Sequence, residues 1–443
     1  MNNDRKELTT AEILEIRKNN MLPSATHTFK KPLHVKKASM QHVWDIEGKK
    51  YLDAFGAIVT ISAGHNHPRI KARMKVWLDE DRPQHTTIFY ISEPVAELTA
   101  KMVGLAPKAL KRAFFTNSGS EANETAILLA RQYTKRYEIV ALKHAYHGGT
   151  TGTMSLVAQH TWKWGGPGLP GISHAAQPNC YRCPWGAKPE SCGLECANDV
   201  EDTIKTTTSG ELAAFIAEPI QGVGGFIVPP KEYFPKVKEI VKKYGGLYIS
   251  DEVQGGVGRT GNHWFGVLHN GIEPDMITMA KGLGNGASIG GLLTTDAISE
   301  SMRGKIHFNT YSGNPWQAMQ AAETLAIIEE EDLIGRAGKL GDIIMNGLKE
   351  FQKSSKTVGD VRGRGLMIGV EFVKDKTSKA YGPEEVLEVL EEARDRGLLV
   401  GKGGLYGNVL RVTPPMCITE ADAYEIVRIL SESIKAMEKK LGY

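Results

Sequence analysis

The chain lacks an apolar run approaching the roughly 18 residues that a bilayer-spanning segment needs, and shows no internal repeat or low-complexity tract. The stretch Met1-Asn2-Asn3-Asp4-Arg5-Lys6-Glu7 has no apolar core of the kind a signal peptide carries, and its acidic residues argue against an organelle transit peptide. The expected location is the cytoplasm. Charge of either sign is not in excess: 54 basic and 51 acidic residues leave a net charge of +3, intermixed along the chain. That balance describes a solvated enzyme surface, with no footprint for nucleic acid or membrane lipid. A content of 41% hydrophobic and 24% charged residues excludes disordered, collagen-like and coiled-coil classes.

Cysteine is scarce. Of five, Cys180, Cys183, Cys192 and Cys196 form a C-x2-C…C-x3-C cluster, and Cys417 stands alone. A zinc clip or two disulfides would fit such a cluster. The gap between the pairs is short for a zinc ribbon, however, and Pro184, Trp185, Gly186 and Pro189 interrupt it. The expectation is reduced thiols in a packed loop, as suits a reducing compartment, and no metal.

What is present is size and alternation. The 443 residues suffice for two to four domains at roughly 100–200 residues each, or for a large α/β enzyme with appendages. From about 110 to 300, short apolar runs alternate with amphipathic stretches, the pattern of a largely parallel sheet covered by helices. Expected strands are Arg112–Thr116, Ile139–Lys143, Ala213–Ala217, Gly246–Ser250, Met276–Met279 and Gly290–Thr294; Glu121–Tyr137 and Lys231–Tyr244 read as helices. After Pro315 the chain reads as a smaller α+β unit. Helices are expected at Gln317–Glu330, Arg336–Lys353, Glu384–Arg396 and Glu420–Leu441, with strand-like Val358–Phe372 and Val409–Val412. A hairpin-like stretch, Met40–Leu52 with Gly48 in its turn, is expected to join it. The expected division is 1–60, 61–314 and 315–443.

Ligands in open α/β sheets sit at the carboxyl ends of strands, and polar clusters fall there. Ile277-Thr278-Met279-Ala280 delivers Lys281 to a glycine-broken turn, and thirty residues upstream Leu247-Tyr248-Ile249-Ser250 delivers Asp251. A lysine forms Schiff bases with carbonyls and loses its proton readily when desolvated. A carboxylate holds a pyridinium nitrogen protonated. Pyridoxal phosphate (PLP) needs both. Ser118 with Glu121 reads as a capping box opening a helix, so Gly119 and Ser120 offer either a phosphate site or a plain cap. Tyr146 can stack on a flat ring or simply pack. Glu218 places another carboxylate at a turn, or in solvent. Two motifs read as coincidences. Gly256–Gly261 matches G-x-G-x-x-G, but Asp251 and Glu252 would crowd a pyrophosphate; Gly286–Gly290 matches G-x-S-x-G but precedes a strand.

Taken together, Asn117–Asn123, Tyr146-His147-Gly148, Glu218–Gly222, Asp251–Gln254, Ala280–Gly282 and Asn309–Pro315 resemble the class III (ω-amino acid) aminotransferases along nearly the whole chain. Gly64–Pro68, Phe308–Thr310 and Val361–Gly369 resemble the alanine–glyoxylate aminotransferase 2 group within it. The resemblance implies an α/β fold of PLP fold type I: a large domain with a mostly parallel seven-stranded sheet, and a smaller α+β domain from both termini. It implies a homodimer or dimer of dimers with active sites at the interface, binding a small-molecule amine donor and a 2-oxo acid. By motif position, Lys281 holds PLP, Asp251 pairs with its ring nitrogen, Val253 and Tyr146 sandwich the ring, and Gln254 reaches the phenolic oxygen. Gly119 and Ser120 hold the phosphate, and Thr310 reaches the phosphate of the partner subunit. Arg411 binds a substrate carboxylate, with Glu218 beside it.

The expected reaction is ping-pong transamination. Racemase or lyase chemistry on the same fold is the alternative, and an NAD-dependent dehydrogenase a distant one. Three positions depart from the family pattern. Gly255 and Val257 replace Thr and Phe. Gly149 replaces the Arg common in members that use 2-oxoglutarate, which favours pyruvate or glyoxylate as acceptor. The donor is expected to be chosen near Phe55, Ile58, Val59 and Trp264, with Trp162 and Trp164 as further candidates.

Overall fold

A computed structural model describes residues 7–163 and 165–443; Trp164 lies outside the described residues. Seven strands form the central sheet: β1 (Leu110–Thr116), β2 (Glu138–Leu142), β3 (Ile172–Ala175), β4 (Leu212–Ala217), β5 (Leu247–Asp251), β6 (Met276–Met279) and β7 (Gly290–Thr295). Their order is β1-β7-β6-β5-β4-β2-β3. Strands β2 to β6 pair in parallel, whereas β7 is antiparallel to both neighbours. The chain is therefore α/β with a mostly parallel seven-stranded sheet.

The strands are apolar because helices cover them on both faces. Every residue of β4 and of β6 is buried. Strand β3, Ile172-Ser173-His174-Ala175, has no place among the strands expected from sequence. It is short, polar at its two central positions and at the sheet edge, so only its parallel pairing with β2 makes it a strand.

Strand polarity has a consequence for the site. The carboxyl ends of β2, β4, β5 and β6 share one edge. Strand β7 runs the other way and brings its amino end, with Gly286–Ile289, to that same edge.

Two smaller sheets flank the central one. The stretch expected as a hairpin is His42–Asp45 paired with Lys50–Asp53, to which Val35–Ser39 adds a third strand. Lys50–Asp53 pairs in parallel with Leu398–Leu399, so segments from the two ends of the chain share a sheet. The other flanking sheet runs Val358–Arg364, Met367–Asp375, Val409–Val412 and Gly401–Gly403. The last helix is Glu420–Leu441, capped by Thr419 and Asp422. It buries Ala423, Leu430, Ile434 and Met437 as its period requires, together with Ile426 and Ile429, while Val427 and Leu441 are only partly covered.

Gly256–Gly261 is a run of turns that leads into further bends and a short 3-10 turn at Gly266–Asn270, with no α-helix opening on it. Arg259 within it donates to Ile61 O at 3.1 Å and to Pro414 O, which ties both flanking segments to the large sheet. A structural turn, and no dinucleotide fingerprint, is what these glycines make. The four clustered cysteines are free thiols around one small cavity of about 20 Å³, and Cys417 is free and buried. Among the described residues, no group of three or more His, Cys, Asp or Glu side chains is arranged to hold a metal, and no helix is long and apolar enough to cross a membrane.

Candidate active site

The strand ends enclose a cleft of about 310 Å³. Gly119, Ser120, Tyr146, Glu218, Asp251, Val253, Gln254 and Lys281 all line it. Asp251 closes β5, and the parallel register sets it opposite Thr278 of β6, three residues before Lys281. The thirty-residue gap in sequence is thus a crossover between neighbouring strands.

Asp251 is 2% exposed. Its Oδ1 accepts from Val253 N at 3.0 Å, and its Oδ2 from Asn123 Nδ2 at 2.8 Å and His147 Nδ1 at 2.7 Å. Asn123 is fixed in turn by donating to His147 O at 2.8 Å and accepting from Thr278 Oγ1 at 2.6 Å. Three donors on one buried carboxylate hold it in a single orientation. Reasoning from sequence does not single out Asn123 and His147, although both lie inside the segments that carry the family resemblance; their convergence on Asp251 exists only in three dimensions.

Lys281 follows β6 with φ = +45°, a backbone region unusual for a side chain of its size. Its ammonium is pushed down to about 8, first by burial and then by Arg411, against the opposing charges of Asp251 and Glu218. A lysine in that state supplies free amine near neutral pH.

The predicted cap at Ser118 is half right. Ser118 Oγ accepts from Glu121 N at 3.3 Å and opens the helix Gly119–Thr134. Glu121 does not return to Ser118 N. Its Oε2 accepts from Asn117 N at 2.6 Å and from Asn309 Nδ2 at 3.2 Å, because the chain before the helix folds back toward the segment around 309. Two glycines are dictated by crowding at this end. A Cβ on Gly119 would stand 2.8 Å from Val253 Cγ2. One on Gly148, which has φ = +139°, would stand 2.4 Å from Ser120 Oγ. The free N–H groups at a helix start, with backbone able to approach, make an anion cradle.

Glu218 is 2% exposed and accepts from Tyr146 N at 3.1 Å, Gly222 N at 2.9 Å and Gln254 Nε2 at 3.2 Å. Burial pushes its carboxyl up to about 6, and Asp251 adds to that while His147 opposes it. Gln254 Oε1 accepts from Arg411 Nη2 at 2.6 Å. A chain of contacts therefore runs Glu218, Gln254, Arg411. The Arg411 guanidinium lies 4.5 Å from the Phe226 ring centre, and burial pushes it down to about 10. Its Nε is buried without a partner, a donor held for an acceptor.

Several expected residues fall elsewhere. Thr310 is exposed and does not line its own chain's cleft. Phe55, Ile58, Val59 and Trp264 do not line the cleft either, because the turn after Lys50–Asp53 points Thr60 into it instead. Phe55 packs against Gly401, and Ile58 is exposed. Trp162 touches the site indirectly, edge-on to Tyr146 at 5.2 Å. Ser288 also lines the cleft, in a turn leading into β7. A strand follows it where a hydrolase elbow requires a helix.

These residues fit pyridoxal phosphate: an amine pushed down toward neutrality, an anchored carboxylate, Val253 and Tyr146 lining the same cleft, and an anion cradle at one end. Comparison with known proteins agrees. The Aminotransferase class-III family model matches residues 24–434. The chain is 39% identical over 425 residues to alanine–glyoxylate aminotransferase 2 homolog 2, mitochondrial, of Arabidopsis thaliana, covering 96% of this chain and 87% of the relative. It is 37% identical over 437 residues to the leucine/methionine racemase of Thermococcus litoralis, covering 97% and 96%. Among solved structures, an (S)-enantioselective ω-transaminase from Thermomicrobium roseum superposes with a TM-score of 0.89 at 32% identity, covering 98% of this chain and all of that one. A PLP-bound amine transaminase from an uncultivated Pseudomonas species gives 0.87 at 30% identity, with coverage of 98% and 100%. The chain belongs to the class III aminotransferases, a PLP-dependent enzyme family.

Proposed function

We propose that this enzyme moves an amino group from an amino acid or ω-amine donor to a small 2-oxo acid, pyruvate or glyoxylate in preference to 2-oxoglutarate, by a ping-pong mechanism. The observation that carries the reading is the meeting of Lys281, Asp251, Glu218 and Gln254 around one cleft, with Arg411 bonded to Gln254 behind it. Bound PLP supplies an electron sink for the carbanion formed at the donor carbon. Asp251, held by Asn123 and His147, keeps a ring nitrogen protonated. Lys281 Nζ, once displaced by the donor amine, would carry the proton from the donor carbon to the cofactor carbon it had occupied, and would carry it back the other way in the second half-reaction. Arg411 receives the substrate carboxylate through the donor atoms that Gln254 leaves free. Val253 and Tyr146 keep the ring flat and exclude water from its faces.

The acceptor preference rests on Gly149. It is exposed, and a Cβ there would meet only Tyr146 Oη, at 3.8 Å. The space for a second carboxylate clamp exists, and no guanidinium fills it. A panel of donors and acceptors on the purified enzyme tests this, with higher kcat/KM expected for pyruvate than for 2-oxoglutarate. Equal or higher values with 2-oxoglutarate overturn the preference. Lys281→Ala is expected to abolish turnover and the absorbance of the lysine-bound cofactor.

Racemisation is the second reading, favoured by the likeness to the Thermococcus litoralis enzyme. Strict dependence of product formation on an oxo acid separates the two.

A homodimer with its sites at the interface is part of the proposal. Phe89, Tyr90, Ile91, Ile306, Phe308 and Tyr311 are exposed together beside Thr310. Phe89 stacks on Phe308 at 5.3 Å. Asn309 donates to Glu121 at 3.2 Å and accepts from Asn117, which lines the cleft. An apolar patch of this kind at the mouth of a site marks an interface. Sedimentation of the wild type and of Phe89→Asp tests it, with dimer and weakened dimer expected.

A further inference from the structure

A second cavity, of about 350 Å³, lies behind the turn that carries Tyr146 and shares no lining residue with the active-site cleft. Its floor is the end of β2, Lys143 and His144. One wall is the loop after β3, with Gln177, Arg182 and Trp185, and the opposite wall comes from the flanking sheet, with Glu371, Asn408 and Tyr381. Three of these residues carry a buried nitrogen without a hydrogen-bond partner: His144 Nδ1, Gln177 Nε2 and Arg182 Nη2. Buried donors are nearly always satisfied, so the two unpaired donors of Gln177 and Arg182 around one cavity mark a place built for acceptors.

The charges already present do not meet that need. Arg182 uses Nε on Glu371 and Nη1 on Lys379 O at 2.8 Å. Glu371 is consumed by Arg182, by Asn408 Nδ2 at 3.3 Å and by Arg362 at 2.7 Å. Gln177 Nε2 cannot turn away freely, because Gly224 packs so close that a Cβ there would lie 2.6 Å from it. His144 is kept neutral by burial and by Lys143.

We propose that this cavity is a second ligand site, which binds the carboxylate of a small organic acid through Gln177 Nε2 and Arg182 Nη2, the latter guanidinium stacked 4.0 Å from the Tyr381 ring centre, with the ligand's apolar part against Trp185 and Leu405. A planar carboxylate suits one guanidinium edge and one amide. A phosphate suits the cavity less well: Asp199 and Glu371 also line it and repel a dianion about twice as strongly as the single charge of a carboxylate. The walls Pro184, Trp185 and Leu405 ask for an organic tail. The site is independent of the transamination reading.

Calorimetric titration of the full-length holoenzyme with benzoate tests this, with inorganic phosphate as a comparison. Benzoate is expected to bind wild type. Gln177→Leu, nearly the same shape without the donor, is expected to weaken binding about tenfold or more at unchanged melting temperature. Arg411→Ala, which removes the guanidinium bonded to Gln254 of the active-site cleft, is expected to leave it in place. The proposal is overturned by absence of benzoate binding at millimolar concentration, by benzoate binding that Arg411→Ala removes, or by phosphate binding more tightly than benzoate. Should Gln177→Leu fail to fold, Trp185→Ala takes its place. Its side chain is 41% exposed, and an unchanged benzoate affinity in that variant equally overturns the assignment.

Discussion

Replacing Lys281 by Met removes the charge and keeps an unbranched side chain of similar reach. In the cofactor-free protein the burial that frees the amine also carries a cost, since the lysine is pushed down to about 8 from an ordinary value of 10.5. A group whose native pKa lies below its unfolded value destabilises the fold wherever the unfolded form is protonated and the native form must be charged or lose its proton. The cost is fully present below about pH 8 and fades as pH rises from there toward 10.5. At about 1.4 kcal/mol per unit, the shift corresponds to about 3 kcal/mol at pH 7. For a chain of 443 residues that is a rise of about 3–4 °C in melting temperature for Lys281→Met over wild type. The assay is denaturant unfolding of both proteins, stripped of cofactor, at pH 7, 8 and 9. The variant is expected to be more stable at pH 7, with the gap shrinking at pH 9. A variant less stable than wild type, or a gap that does not change with pH, refutes the reasoning that burial is what lowers this amine. Backbone strain at φ = +45° is common to both proteins and cancels.

Other consequences follow from the same geometry. The charge on Glu218 raises the Lys281 ammonium from across the cleft. In Glu218→Gln, the pH at which cofactor-free enzyme becomes reactive toward an amine-labelling reagent should therefore move below about 8, whereas wild type should turn on near 8. Gly148→Ala drives a Cβ to 2.4 Å from Ser120 Oγ in a left-handed backbone region, and is expected to weaken PLP affinity about tenfold or more, at a cost of about 1–3 kcal/mol in stability; fluorescence titration of cofactor-free protein measures the first. Gly149→Arg meets no backbone obstacle and should raise kcat/KM for 2-oxoglutarate relative to pyruvate by about tenfold, while unchanged relative activity would show that the second carboxylate does not lie there.

The sequence by itself determined the strands that are buried on both faces. Met276–Met279 and Val409–Val412 are apolar throughout or nearly so, and their bounds coincide with those read from the chain. It also determined the residues whose chemistry is distinctive at a strand end, because Lys281 and Asp251 each terminate an apolar run at a turn. It missed β3, since half-polar edge strands carry no local signal. The tertiary structure decided everything that depends on convergence. Only the parallel register of β5 and β6 turns a thirty-residue separation into neighbouring groups. Only folding brings Asn123 and His147 onto Asp251, and Gln254 between Glu218 and Arg411. Glu121, which the local pattern assigned to Ser118, instead bonds Asn117 and Asn309, because a partner 188 residues away became available. Local pattern reports what a residue can do with its neighbours in sequence. Burial and approach across the sheet set the protonation of Lys281 and Glu218, and no stretch of sequence contains them.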